Sequence, residues 1–224
     1  MRTKLFFSSE AKSTGVLRDF CETNNWILTD KSLIRFEKIP FETPTNYDVI
    51  FFSSPRCVNY FLSENEIISS TQIACVGQGT ASILRAHNLT PNFIGFNSGI
   101  PEDVAKHFVD WLGDRVVLFP LPLNSKETIY KHVSDKQKMI VHCYETVQTN
   151  AVISEHDLYV FTSPSNVNSY LTNNSVKTIS NVIAWGRTTA QQLIDCGITP
   201  IAVLDESSEA ALVEILNELK NKLN

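Results

Sequence analysis

No apolar run in this chain approaches the roughly 18 residues that a membrane-spanning helix needs. The first residues, MRTKLFFSSEAK, hold no apolar stretch of signal-peptide length and no small-residue cleavage site, so a cytoplasmic location is expected. Charge of one sign is nowhere concentrated. Lysine and arginine total 19 against 24 acidic residues, a formal net charge of -5, with no basic block to meet a duplex nucleic acid. Cysteine is odd in number and irregular in spacing. Cys21, Cys57, Cys75, Cys143 and Cys196 make neither a disulfide framework nor a CxxC pair and read as reduced, mostly buried thiols. The histidines, His87, His107, His132, His142 and His156, make no HxH or HExxH cluster, and no metal site is expected. A Walker A loop and a GxSxG elbow are also missing. Disorder is excluded from the other direction, since 43% of the 224 residues are hydrophobic and only 19% are charged.

What is present is alternation. Short apolar runs rich in Val, Ile and Phe predict strands at 4–7, 49–52, 73–76, 93–95, 116–119, 159–161, 182–185 and 201–204. Amphipathic segments lie between them. The clearest is 207–223, where Leu212, Ile215, Leu216, Leu219 and Leu223 recur at helical spacing behind a Ser207 or Ser208 cap. A second starts at Pro101 and aligns Val104, Ala105, Phe108 and Leu112. Strand–helix–strand alternation predicts parallel sheets covered by helices on both faces.

The segment 48–91 returns as 157–200. Asp48 recurs as Asp157 and Pro91 as Pro200, an offset of 109 at both ends, so the copies align without a gap. Ser-Pro, Val-Asn, Gly-x-x-Thr-Ala and a closing Thr-Pro share one register, and roughly a third of the positions are identical, far too long a period for a solenoid. The chain therefore carries two copies of a domain. The second copy lacks a following strand and helix, and these are supplied by 4–24 at the front. The expected architecture is α/β, with two flavodoxin-like parallel-sheet lobes. Lobe 1 is discontinuous, from 1–36 and 148–224, and lobe 2 is 42–138. The chain crosses through 37–41 and 139–147, within the extended segments LIRFEKIPF and MIVHCYETV, which would pair as a two-stranded connector between hinged lobes with a cleft.

Ligands of parallel sheets bind beyond the carboxyl ends of the strands. The loops expected there are 8–13, 53–56, 77–80, 120–126, 162–166 and 186–189, all rich in Ser, Thr, Gly, Pro and Asn and each followed by a helix start. Helix N-termini with hydroxyls suit anionic groups; ordinary N-capping explains the same residues. Gly77-Gln78-Gly79-Thr80-Ala81-Ser82 lacks the third glycine of a dinucleotide fingerprint, and the sister loop from Gly186 lacks two. Arg56 and Arg187 stand at equivalent helix starts, suited to substrate carboxylates or to solvent. Tyr144, in the second crossing segment, is placed to donate a proton or to pack.

The repeat, the split lobe and the crossings, with IFFSSPRCV, ACVGQGTASIL, VLFPLPLNSKETI, HCYET, VFTSPSNVNSYL and AWGRTTAQQLIDCGITP in order, resemble the uroporphyrinogen-III synthase family over nearly the whole chain. The resemblance implies a lyase of heme biosynthesis. Such an enzyme cyclises the linear tetrapyrrole hydroxymethylbilane to uroporphyrinogen III, with loss of water and inversion of ring D, and uses no cofactor. It implies Tyr144 as the acid for the leaving hydroxyl, with Thr189 holding a carboxylate or ordering water. Ser54, Arg56, Gly77, Thr80, Ser163, Ser165, Gly186, Arg187 and Thr188 would contact substrate. It further implies a monomer in transient contact with hydroxymethylbilane synthase. Two places depart from the family. Ser8-Ser9-Glu10 stands where a Thr-Arg-Pro loop is common, and Pro120-Leu121-Pro122-Leu123 replaces a glycine-containing loop. The alternatives are a non-catalytic ligand-binding or regulatory module of the same fold, and a flavodoxin-like nucleotide or flavin binder.

Overall fold

Strands with apolar side chains on both faces need cover on both faces, and each of the two sheets has it. A computed structural model describes residues 2–97, 99–125, 129–174, 179 and 181–223, with side chains described as far as 220. The chain divides into two compact units, Met1–Arg35 with Val147–Asn224, and Phe36–Thr146.

Unit 1 contains β1 (Lys4–Phe7), α1 (Val16–Thr23), β2 (Ile27–Asp30), β9 (Leu158–Phe161), α5 (Pro164–Asn173), β10 (Val182–Ala184), α6 (Arg187–Asp195), β11 (Ala202–Val203) and α7 (Glu209–Leu223). Its sheet runs β11-β10-β9-β1-β2, every pairing parallel. Counted along the unit this is the flavodoxin order 2-1-3-4-5. One face packs Leu5, Phe7, Leu158 and Val160 under α1 and α7; the other packs Phe6, Tyr159 and Phe161 under α5 and α6.

Unit 2 contains β4 (Val49–Phe52), α2 (Pro55–Leu62), β5 (Gln72–Cys75), α3 (Gln78–Ala86), β6 (Phe93–Ile94), α4 (Pro101–Leu112) and β7 (Val117–Pro122). A short 3-10 turn at Tyr130–His132 leads into β8 (Lys138–Gln148). The six-stranded sheet runs β3-β8-β7-β4-β5-β6, where β3 is Ile34–Lys38. Without β3 the order is that of unit 1, entered at a different strand. Phe52, Phe61 and Leu84 fill one face, and Phe51, Phe108 and Phe119 the other.

The 109-residue offset holds in the fold. Helices α2 and α5 begin at Pro55 and Pro164, and α3 and α6 at Gln78 and Arg187. The crossing segments pair: β8 runs parallel to β7 as far as Tyr144, and its outer part faces β3. Ile39 N donates to Cys143 O (3.2 Å) and Thr149 N to Leu33 O (2.8 Å), which makes that ladder antiparallel.

Two readings need correction. Strand β2 was not expected. It is a half-exposed outer strand, and Ile27-Leu28-Thr29-Asp30 lacks the continuous apolar run of the central ones. No α-helix stands between β7 and β8 among the described residues, and Lys126 of the predicted 120–126 loop lies outside them. The terminal helix begins at Glu209, with Ser208 as its cap (Ala211 N to Ser208 Oγ, 3.2 Å), while Ser207 Oγ donates to Trp185 O. The side chain of Leu223 lies outside the described residues.

Candidate active site

Open parallel sheets bind ligands at the carboxyl-terminal edge, above all where the winding reverses. In unit 1 that point lies between β1 and β9, and it is latched: Thr162 N donates to Ser8 Oγ (2.8 Å) and Thr162 Oγ1 to Ser8 O (3.0 Å). In unit 2 it lies between β7 and β4, where Phe51, Ser53, Phe119 and Leu121 line a cavity of ≈ 210 Å³. A second cavity of ≈ 380 Å³ shares Ser53 with it and is bounded by Pro55, Gly77, Gly79 and Thr80. The N-terminal ends of α2 and α3 therefore meet one open space.

The candidate loops fall into two kinds. Ser54 and Ser163 are helix caps: Ser54 Oγ accepts Cys57 N at 3.2 Å, and Ser163 Oγ accepts Asn166 N at 3.2 Å. Gly77 and Gly186 cap α3 and α6 with no side-chain acceptor, which leaves the first-turn N–H groups there for a ligand. Arg187 and Thr188 are exposed at the start of α6, and Ser165 is half-buried on α5. Thr80 and Thr189 are buried, each 2% exposed.

The densest chemistry is in unit 2. Tyr144, 5% exposed, stacks on Tyr60 (centroids 4.8 Å apart, 21° between planes) and meets the edge of Phe36 at 5.9 Å. The Arg56 guanidinium lies 3.5 Å over the Phe36 ring and 5.9 Å from the Tyr144 ring. Tyr60 donates its hydroxyl to Phe36 O at 3.0 Å, tying α2 to the β3 segment. Burial pushes the Tyr144 phenol above its ordinary range and the Cys57 sulfur adds to this; Arg56 and Ser54 pull the other way. The site thus holds a phenol that stays protonated and a cation beside it. The structure brings Ser54, Arg56 and Tyr144 together around α2, and Gly77 and Thr80 around the larger cavity.

Two features were missed. Cys57 and Cys143, passed over as packing thiols, sit under this cluster. Arg56 and Tyr60 are helical i, i+4 neighbours, a spacing visible in the sequence. The missing family-type arginine near Ser8 has a counterpart in the structure: Ala11 N donates to Asp30 Oδ2 (3.0 Å) and Lys12 N to Glu209 Oε1 (3.0 Å), so two carboxylates of the chain itself occupy that loop's N–H groups. All five cysteines are free thiols, and among the described residues no helix is long and apolar enough to cross a membrane.

Comparison with known proteins follows the same line. The chain resembles the crystal structure of uroporphyrinogen-III synthetase from Helicobacter pylori, at TM-score 0.70 and 18% identity, over 98% of this chain and 100% of that one. A mutant uroporphyrinogen III synthase from Thermus thermophilus is similar at TM-score 0.64 and 15% identity, over 99% of this chain and 98% of that one. At these identities the likeness speaks for the fold. No curated protein matches by sequence. Residues 29–214 match the family described as Uroporphyrinogen-III synthase HemD, and the chain belongs to the uroporphyrinogen-III synthase family.

Proposed function

We propose that this protein cyclises hydroxymethylbilane to uroporphyrinogen III. The terminal hydroxyl leaves as water, the substituted carbon of ring D attacks the resulting azafulvene, and the spiro intermediate fragments and recloses with ring D inverted. The observation that carries this reading is the Tyr144 cluster in a chain of this family. Hydroxide is a poor leaving group and needs a proton. A buried phenol held above its ordinary range keeps its proton at neutral pH and delivers it over a short distance.

The rest of the site supports the handling of carboxylates. The first turns of α3 and α6 lack side-chain caps, and Arg56, Arg187, Thr80, Thr188 and Ser165 stand at helix starts. Ser54 and Ser163 shape their loops as caps. Thr189, whose N–H donates to Gly186 O at 3.1 Å, holds the first turn of α6 in shape. Folding a flexible chain so that its two ends meet is catalysis by orientation, which needs positioned donors more than strong acids. In this reading the protein acts in the cytoplasm as a monomer and takes the linear tetrapyrrole during transient contact with hydroxymethylbilane synthase. The test is to supply enzymatically generated hydroxymethylbilane and resolve the product isomers. Isomer III above the spontaneous background supports the activity, and isomer I alone overturns it.

A further inference from the structure

Strand β8 breaks its own alternation beside Tyr144. Val117 N donates to Gln137 O (2.7 Å), and the ladder with β7 then advances residue for residue, from Val117 opposite Lys138 to Leu121 opposite His142. The next pair is Pro122 opposite Tyr144, so β8 carries one extra residue, Cys143. Such bulges are rare between parallel strands. The hydrogen bonds record the same step. Alternation would give Leu123 N the carbonyl of Cys143. It donates instead to Tyr144 O at 2.8 Å, and Cys143 O turns toward β3 and accepts Ile39 N at 3.2 Å. Side chains change face with the backbone. Met139, Val141 and Cys143 alternate onto the face that packs against Val58 and Phe61 of α2, and Tyr144 joins that same cluster although it directly follows Cys143. In an unbroken strand residue 144 would share the opposite face with Ile140 and His142, away from Arg56 and Tyr60.

We propose that His142 is a positioning residue for Tyr144: it closes the bulge that turns the tyrosine onto the α2 face. His142 Nδ1 lies 3.2 Å from Pro122 O, and a carbonyl only accepts, so the ring nitrogen donates. Pro122 is the ladder partner of Tyr144. The imidazole therefore ties the residue before the bulge to the partner of the residue after it. A bulge leaves one residue unpaired and the ladder locally disrupted. A side-chain donor across the step offsets that loss and opposes migration of the extra residue along β8. Without the tie, Cys143 O can return to Leu123 N and Tyr144 can turn to the other face. With it, the Tyr144 ring stays stacked on Tyr60 at 4.8 Å, and the Arg56 guanidinium stays 5.9 Å from it. The inference rests on the function proposed above, in which Tyr144 is the acid, and gives His142 a role through the backbone with no contact to substrate.

The test uses the full chain with His142→Val, which suits a strand but offers no donor, and His142→Asn, whose amide N–H can stand where Nδ1 does. His142→Ser keeps the test open if the valine variant does not fold. Two quantities are read: kcat and KM for uroporphyrinogen III formation, and amide exchange at Ile39 by NMR, which reports whether Cys143 O still faces β3. In His142→Val, kcat should fall toward the roughly hundredfold loss that misplacement costs, KM should hold, and Ile39 should exchange faster. His142→Asn should recover most of both. A folded His142→Val protein with wild-type kcat would overturn the positioning role. So would a loss of kcat with unchanged exchange at Ile39, or an equal loss in the valine and asparagine variants. A wild-type protein making only isomer I would sink the proposed activity, and exchange at Ile39 would still decide whether His142 holds the bulge.

Discussion

The place where the chain leaves unit 1 is held by two side chains of α5, and this gives a prediction with a magnitude. Leu33, 0% exposed, donates its N–H to Asn166 Oδ1 at 2.8 Å. Its carbonyl accepts Ser169 Oγ at 2.6 Å and also Thr149 N at 2.8 Å. Asn166→Ala removes the acceptor of a buried N–H, a loss of about 1–3 kcal/mol. The Asn166 amide also donates to Ser163 Oγ at 3.0 Å, but that oxygen keeps the bond from Asn166 N, so little is added. A total near ~2 kcal/mol should lower Tm by about 4–8 °C for a chain of this size. Ser169→Ala leaves the Leu33 carbonyl its Thr149 partner and should cost about 1 kcal/mol or less. Differential scanning calorimetry of the two variants beside wild type reads both effects. An Asn166→Ala protein within about 0.5 kcal/mol of wild type, or a Ser169→Ala protein that loses more than Asn166→Ala, would refute this account of the crossing.

Other predictions concern single groups. Gly79→Ala meets nothing within 4 Å and should stabilise α3 by up to about 1 kcal/mol in urea titration. Where a substrate carboxylate approaches that turn the same change should raise KM, and an unchanged KM would remove the α3 N-terminus from the site. Gly95→Ala would drive a methyl into the Val76 carbonyl oxygen and to 2.7 Å from Val104 Cγ1, so it should destabilise by about 1–3 kcal/mol in the same assay. His156 is buried, with Nδ1 against Ser154 O (2.6 Å) and Nε2 against Thr29 Oγ1 (2.9 Å); burial holds its imidazole below the ordinary value. Its contribution to stability is complete above the ordinary imidazole value and is lost as pH falls from there through the folded value, because the unfolded chain takes up the proton first. His156→Gln should flatten that part of a Tm-against-pH curve, and an unchanged slope would assign the acid sensitivity elsewhere. Tyr144→Phe should cut kcat by about 10²–10⁴-fold if the phenol is the acid, with only a small change in Tm; a wild-type kcat would remove that role.

Much of this was legible because duplication writes the same solution twice. Ser54 and Ser163, and Gly77 and Gly186, stand in one register and form the same caps in the fold. The central strands 49–52 and 158–161 are apolar at every position, and their burial on both faces follows. Strand β2 escaped notice because an outer strand needs only partial burial and its residues alternate weakly. In the site, residue type pointed to Tyr144, yet all but one of its neighbours come from two places distant in sequence. Phe36 arrives on β3, Arg56, Cys57 and Tyr60 on α2, and Cys143 on β8. Local pattern carries no information on that convergence. Nor could it show that Asp30 and Glu209 occupy the loop after β1, since both bonds are made across long sequence separations.

The central claim is that this chain directs ring closure to the inverted isomer. The most direct measurement adds the purified protein to hydroxymethylbilane as it is formed and resolves the uroporphyrinogen isomers by chromatography after oxidation. The account predicts isomer III in excess over the spontaneous product, rising with protein concentration and reduced in Tyr144→Phe. Isomer I alone, at every protein concentration, would contradict it.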